Sequence, residues 1–208
     1  MGRLLLPAVE DALLDLGDLP DGEPAAQESF SPDAEGFIRN WLVLAPIGIE
    51  EGAGATEIDK EQIKGEATVK PKAGEAVKAG AKELKWAAHK TADFFIDFRE
   101  SFGKDQGEDV AGYAVAYVHA EAEMAVKAQI GSNDQAKLHV NGKCVIKFDE
   151  TRTLEKDQNA ADVTLNKGCN LVVFKVINEK NNWQGCLRFT DKAGAAVKNV
   201  KITLAPPQ

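Results

Sequence analysis

The densest gathering of side chains able to do chemistry in this 208-residue chain is Asn178-Glu179-Lys180-Asn181-Asn182-Trp183-Gln184, with Arg188 close behind. An indole beside several amides and a guanidinium is a set that suits a sugar. The ring covers an apolar C–H face, and fixed amides and cations meet the hydroxyls. On this reading Trp183 is a stacking platform, Asn181, Asn182 and Gln184 hold hydroxyls, and Arg188 adds orientation. The same residues also suit a tryptophan that plugs one end of a fold, with asparagines that only make turns.

A second group of donors is Asn133-Asp134. Hard oxygens of this kind, with nearby carbonyls, are what a structural calcium ion takes. A tight turn closed by Asx hydrogen bonds uses the same residues. Catalytic signatures do not stand out. His89, His119 and His139 show no spacing to a nucleophile, and no P-loop, GxGxxG or nucleophile elbow occurs. Cys144, Cys169 and Cys186 are far apart and unpaired in sequence, which disfavours zinc. The chain is therefore read as a non-enzyme.

The elements that must position these groups are strands. Period-2 alternation runs through Phe94–Phe98, Ala122–Ile130, Ala136–Val140, Cys144–Phe148 and Val200–Leu204, with one dry and one wet face each. His139 falls on a wet face. Leu171–Ile177 is nearly all apolar and reads as a central strand covered on both sides, and Tyr113–Val118 looks the same. Trp41 and Trp86 sit inside apolar strand patterns and read as core. Asn141-Gly142 marks a hairpin, since its turn needs positive φ at both residues. Ser132–Asp134, Asn166–Gly168 and Asp191–Gly194 punctuate the remaining strands. The Lys/Glu/Ala/Gly-rich stretch Gly52–Ala81 reads as loops with a short helix or turn at Asp59–Lys64. The whole predicts an all-β sandwich or barrel.

Charge divides the chain. The net charge is −8, and residues 1–36 carry all of it, with nine acids and one base. Residues 37–208 balance, and that stretch is read as the β-sandwich domain. Within the acidic arm, Val9, Ala12, Leu13 and Leu16 fall on one face of a short helix after Pro7, and Gly17 stops it. Pro20–Pro32 reads as a linker. Such an arm offers a protein partner a docking element. Net acidity argues against a phosphate-tracking nucleic-acid binder, and no apolar run reaches the length of a membrane-spanning helix. Met1–Leu6 lacks the apolar core of a signal peptide, which leaves a cytosolic chain or a mature form.

Three segments carry a resemblance. They are Gly131-Ser-Asn-Asp-Gln-Ala-Lys-Leu-His-Val-Asn-Gly-Lys143, Leu165-Asn-Lys-Gly-Cys-Asn-Leu-Val-Val-Phe-Lys-Val-Ile-Asn178 and Asn182-Trp-Gln-Gly-Cys-Leu-Arg-Phe189. With Tyr113–Tyr117 and Gly36–Pro46, they resemble the jelly-roll sugar-binding domain of family 2 glycoside hydrolases, a galactose-binding-like fold. The chain is also similar to PA14-type modules, although the first acid of their Asp-Asp pair is Asn133 here, and to secreted proteins of planctomycete-type bacteria. The resemblance implies a galactose-binding-like jelly roll and a non-catalytic module that binds a polysaccharide or glycan, secreted or attached to the envelope. The competing expectation is a structural or docking protein of an envelope or larger assembly, engaging its partner through residues 1–36.

Overall fold

A computed structural model describes residues 27–102 and 107–207, so the helix expected over Pro7–Leu16 lies outside the described residues. The architecture is an all-β sandwich. The larger sheet runs in the order β4 (Ala87–Lys90), β1 (Asn40–Gly48), β6 (Val110–Ala120), β11 (Gly168–Asn178), β8 (Ala136–Val140), β9 (Lys143–Phe148), and β13 (Val200–Thr203) also pairs with β6. The smaller sheet runs β10 (Asn159–Leu165), β7 (Met124–Asn133), β12 (Gln184–Thr190), β5 (Ile96–Asp97). All pairings are antiparallel. Ahead of β1 the chain already lies on the body, because Phe30 bridges to Ile202 and Phe37 to Arg188.

Alternation explains the layering. In β6, Ala114, Ala116 and Val118 point between the two sheets, where they meet Val126, Ile130, Phe174 and Leu187. Their neighbours Tyr113, Val115 and Tyr117 point the other way, into a second core with Leu42, Leu171, Ile177, Ile58 and Trp86. The larger sheet is therefore buried on both faces, as the apolar runs at Tyr113–Val118 and Leu171–Ile177 require. Trp41 and Trp86 are both buried.

The second core lies under a cover built from residues of low hydrophobicity. It holds α1 (Gly54–Glu57), a 3-10 turn at Glu66–Thr68 and the hairpin of β2 (Ala76–Ala79) and β3 (Lys82–Lys85). The hairpin's first strand, β2, lies in the stretch read as loops, because an alternation of four residues is too short to stand out there. The cover is fastened through charge. Lys175 is fully buried, and its Nζ donates to the carbonyls of Glu57 (3.0 Å) and Lys60 (2.5 Å) and lies 3.5 Å from Glu66 Oε2. The Tyr113 hydroxyl donates to the same carboxylate at 2.6 Å. His139 is buried, not wet, because its side of β8 faces this cover, and burial lowers its pKa.

Two further expectations change. Phe94–Phe98 is not a strand throughout: β5 spans two residues, and α2 (Phe98–Phe102) follows at once. Asn141-Gly142 does make the hairpin of β8 and β9, with φ of +51° and +82°. The turns at Ser132–Asp134 and Asn166–Gly168 instead carry the chain from one sheet to the other.

Candidate functional site

The predicted sugar loop lies at one end of the sandwich, where β11 ends and β12 begins. Trp183 does not face solvent there. Its indole is 1% exposed, stacks on Phe98 with ring centroids 4.8 Å apart, and donates Nε1–H to the Val176 carbonyl at 3.2 Å. Gly112 makes the seat possible, since a Cβ there would come within 2.7 Å of the indole. Trp183 is a plug, which removes it as a stacking platform.

The loop around it is tied to the fold. Phe98 N–H donates to the Trp183 carbonyl at 3.0 Å, and Arg99 donates to the Asn181 carbonyl at 2.6 Å. Gln184 approaches Asp97 at 3.4 Å. Asn181 and Asn182 remain exposed, with Asn181 in the left-handed region at φ +69°. Arg188 is not part of this group. It lies further along β12, grips the Asp157 carboxylate through Nε and Nη2, donates to the Glu35 carbonyl and sits over the Phe37 ring.

Asn133 and Asp134, joined by a cis peptide, lie at the same end and are both buried. Asp134 Oδ1 accepts the Arg152 N–H and Oδ2 accepts the Glu179 N–H, each at 3.1 Å. Burial nonetheless holds this carboxyl above its ordinary pKa, against those two bonds. Arg152 closes over the turn, donating to Ser132 Oγ at 2.7 Å. A calcium ion needs six to eight oxygens. The Asp134 oxygens are engaged by backbone, Asn133 Oδ1 is the one buried oxygen of the pair without a partner, and no metal-holding group of three His, Cys, Asp or Glu occurs among the described residues. The residues present do not fit calcium.

The opposite end is open. A groove of about 840 Å³ lies at the seam between the sheets, lined from the smaller sheet by β7 and β10 and from the larger by β8 and β9. Its buried lining is aliphatic, with Val126, Val140 and Val163, and Val145 is half-exposed beside them. Its outer lining is polar: Thr164, Asn166, Lys143 and Lys192 are exposed there, and Lys127 pairs with Asp162 at 3.3 Å. One buried amide organises the rim. Asn170 donates to the carbonyls of Asn166 and Gly168 and accepts from Asn166 N–H and Asn141 Nδ2. This ties the turn that follows β10 to the β8–β9 hairpin. A smaller cavity of about 380 Å³ continues past Asn141 and Asn166 toward Tyr117 and Cys169.

Sequence reasoning missed this groove. Lys127, Lys143 and Lys192 belong to three separate elements, and no local motif joins them. The one visible signal was the Asn-Gly turn, which fixes Lys143 at the start of β9.

No family model matches the sequence, and no curated protein matches it significantly. Among solved structures, the PA14 domain of the antifreeze protein MpAFP is similar over 91% of this chain and 98% of its own, at 10% identity and a TM-score of 0.38. A family 31 alpha-xylosidase from Xanthomonas citri is similar over 86% of this chain, at 11% identity and a TM-score of 0.39. This chain spans 18% of that enzyme's length.

Proposed function

We propose that the chain is a non-catalytic carbohydrate-binding module whose ligand lies in the groove between β7, β8, β9 and β10. The observation that carries this is the groove's composition, aliphatic within and hydrogen-bonding at the rim. A saccharide is amphipathic in the same way. Its C–H faces pack on apolar side chains, and its hydroxyls need both donors and acceptors. Thr164 and Asn166 supply both, and the lysines supply donors. Among the residues lining the groove there is one carboxylate, Asp162. The common glycosidase mechanisms use two, so the lining suits holding a sugar better than cleaving one.

Affinity electrophoresis through gels loaded with a panel of neutral and acidic polysaccharides tests the reading. At least one polysaccharide should retard the chain, and Val145→Glu should abolish the retardation by placing a charge among the valines. Trp183→Phe, which keeps an aromatic plug, should leave it intact. Absence of retardation across the panel, or retardation indifferent to Val145→Glu, contradicts the proposal.

A further inference from the structure

The groove's charge runs against that of the chain. The protein carries −8 overall, yet the groove is lined by three lysines, Lys127, Lys143 and Lys192, and by one acid, Asp162. Lys127 is matched by Asp162 at 3.3 Å. Lys143 and Lys192 are exposed and form no ion pair with any described residue. The nearest acid in sequence to Lys192 is Asp191, and its Oδ1 is held in its own turn by the Ala193 and Ala195 N–H groups at 2.8 and 2.9 Å. Two cations from different elements thus border one concave, partly apolar surface.

We infer that the groove selects anionic saccharides, those bearing carboxylate or sulfate groups. The inference rests on the proposed carbohydrate-binding reading and specifies its ligand class. The sugar's C–H face lies on Val145, the half-exposed valine of the groove, its hydroxyls meet Thr164 and Asn166, and its acidic group meets Lys143 and Lys192. Charge alone would accept any polyanion. The aliphatic lining adds a requirement that an acidic peptide, which has no sugar ring, does not meet, and that a nucleic acid meets only with a furanose whose charge sits on the linking phosphate rather than on the ring. Cations bordering a concave site also focus anions toward it, in a way that salt screens.

The test uses the full chain in gels containing polygalacturonate, alginate or dextran sulfate, against methyl-esterified polygalacturonate and dextran as neutral counterparts. Polyglutamate serves as an anionic control without sugar, and an oligonucleotide as one whose charge lies on phosphates between furanoses. At least one anionic polysaccharide should bind about tenfold more tightly than its neutral counterpart, and added salt should weaken it. The double variant Lys143→Glu, Lys192→Glu should lose roughly that factor, and Lys143→Gln, Lys192→Gln should lose less. Far-ultraviolet circular dichroism confirms that both variants fold. Equal retention by acidic and neutral polymers, unchanged in the lysine variants, overturns the anionic preference and leaves carbohydrate binding standing. Retention by polyglutamate or the oligonucleotide as strong as by any polysaccharide overturns the saccharide requirement. Absence of retention by every polysaccharide overturns both.

Discussion

At the Asp134 end of the sandwich, the polar side chains close on one another. Asp134 holds two backbone N–H groups, the Gln135 amide donates to Glu179 at 2.7 Å, Arg152 covers Ser132, and the indole of Trp183 fills the space beneath. At the other end, Lys143, Lys192, Thr164 and Asn166 stand exposed around a cavity of about 840 Å³. Both ends are rich in Asn, Asp and Lys, so composition does not tell them apart. Partners do: groups already bonded within the fold hold the fold, and groups left around a cavity are available to a ligand.

The contrast breaks first, and most heavily, at the closed end. Trp183→Ala should cost about 3–5 kcal/mol of stability, the usual range for emptying a large buried aromatic site. Chemical denaturation measures it, and a loss under about 1 kcal/mol would mean the indole is not the plug described. Asp134→Ala comes next. It leaves the Arg152 and Glu179 N–H groups without their acceptor, at about 1–3 kcal/mol.

A pH titration sharpens the second point. Burial raises the folded-state pKa of Asp134 above its ordinary 3.8. Between those two values the folded state binds more protons than the unfolded chain. The contribution of Asp134 is therefore fully present below the ordinary value and is lost as pH rises through the raised one. The stability gap between the native chain and Asp134→Asn should be larger at pH 4 than at pH 7, read by urea unfolding. A gap that grows with pH contradicts the burial argument.

The smallest effect on stability belongs to the open end. Lys143→Glu and Asn166→Ala should each move unfolding by no more than about 0.5 kcal/mol, as exposed substitutions do, while weakening glycan retention. A large loss of stability from either would make the rim part of the scaffold.

Much of the scaffold was legible. The unbroken apolar runs at Tyr113–Val118 and Leu171–Ile177 required cover on both faces, and Asn141-Gly142 required its hairpin, because both follow from local rules. The fate of Trp183 does not follow from its own loop. It depends on Gly112, some seventy residues upstream, a missing side chain on a face of β6 otherwise made of Ala and Val. That gap in β6 was the available clue that something large packs there. The cover over Tyr113 was masked because one buried lysine and its carbonyl partners help fasten it, and no hydrophobic period records them. The groove was least legible of all. Val126, Val140, Val145 and Val163 alternate as ordinary strand residues do, and the lysines read as solvated faces. Only the pairing of β10 with β7 and of β9 with β8 brings them around one opening.

Amide hydrogen exchange with and without a retained polysaccharide tests the division between the ends most directly. Bound glycan should protect residues 125–127, 140–145 and 162–166 and leave 133–135 and 178–184 unchanged. Protection concentrated at 133–135 and 178–184, with the groove unaffected, would contradict the account.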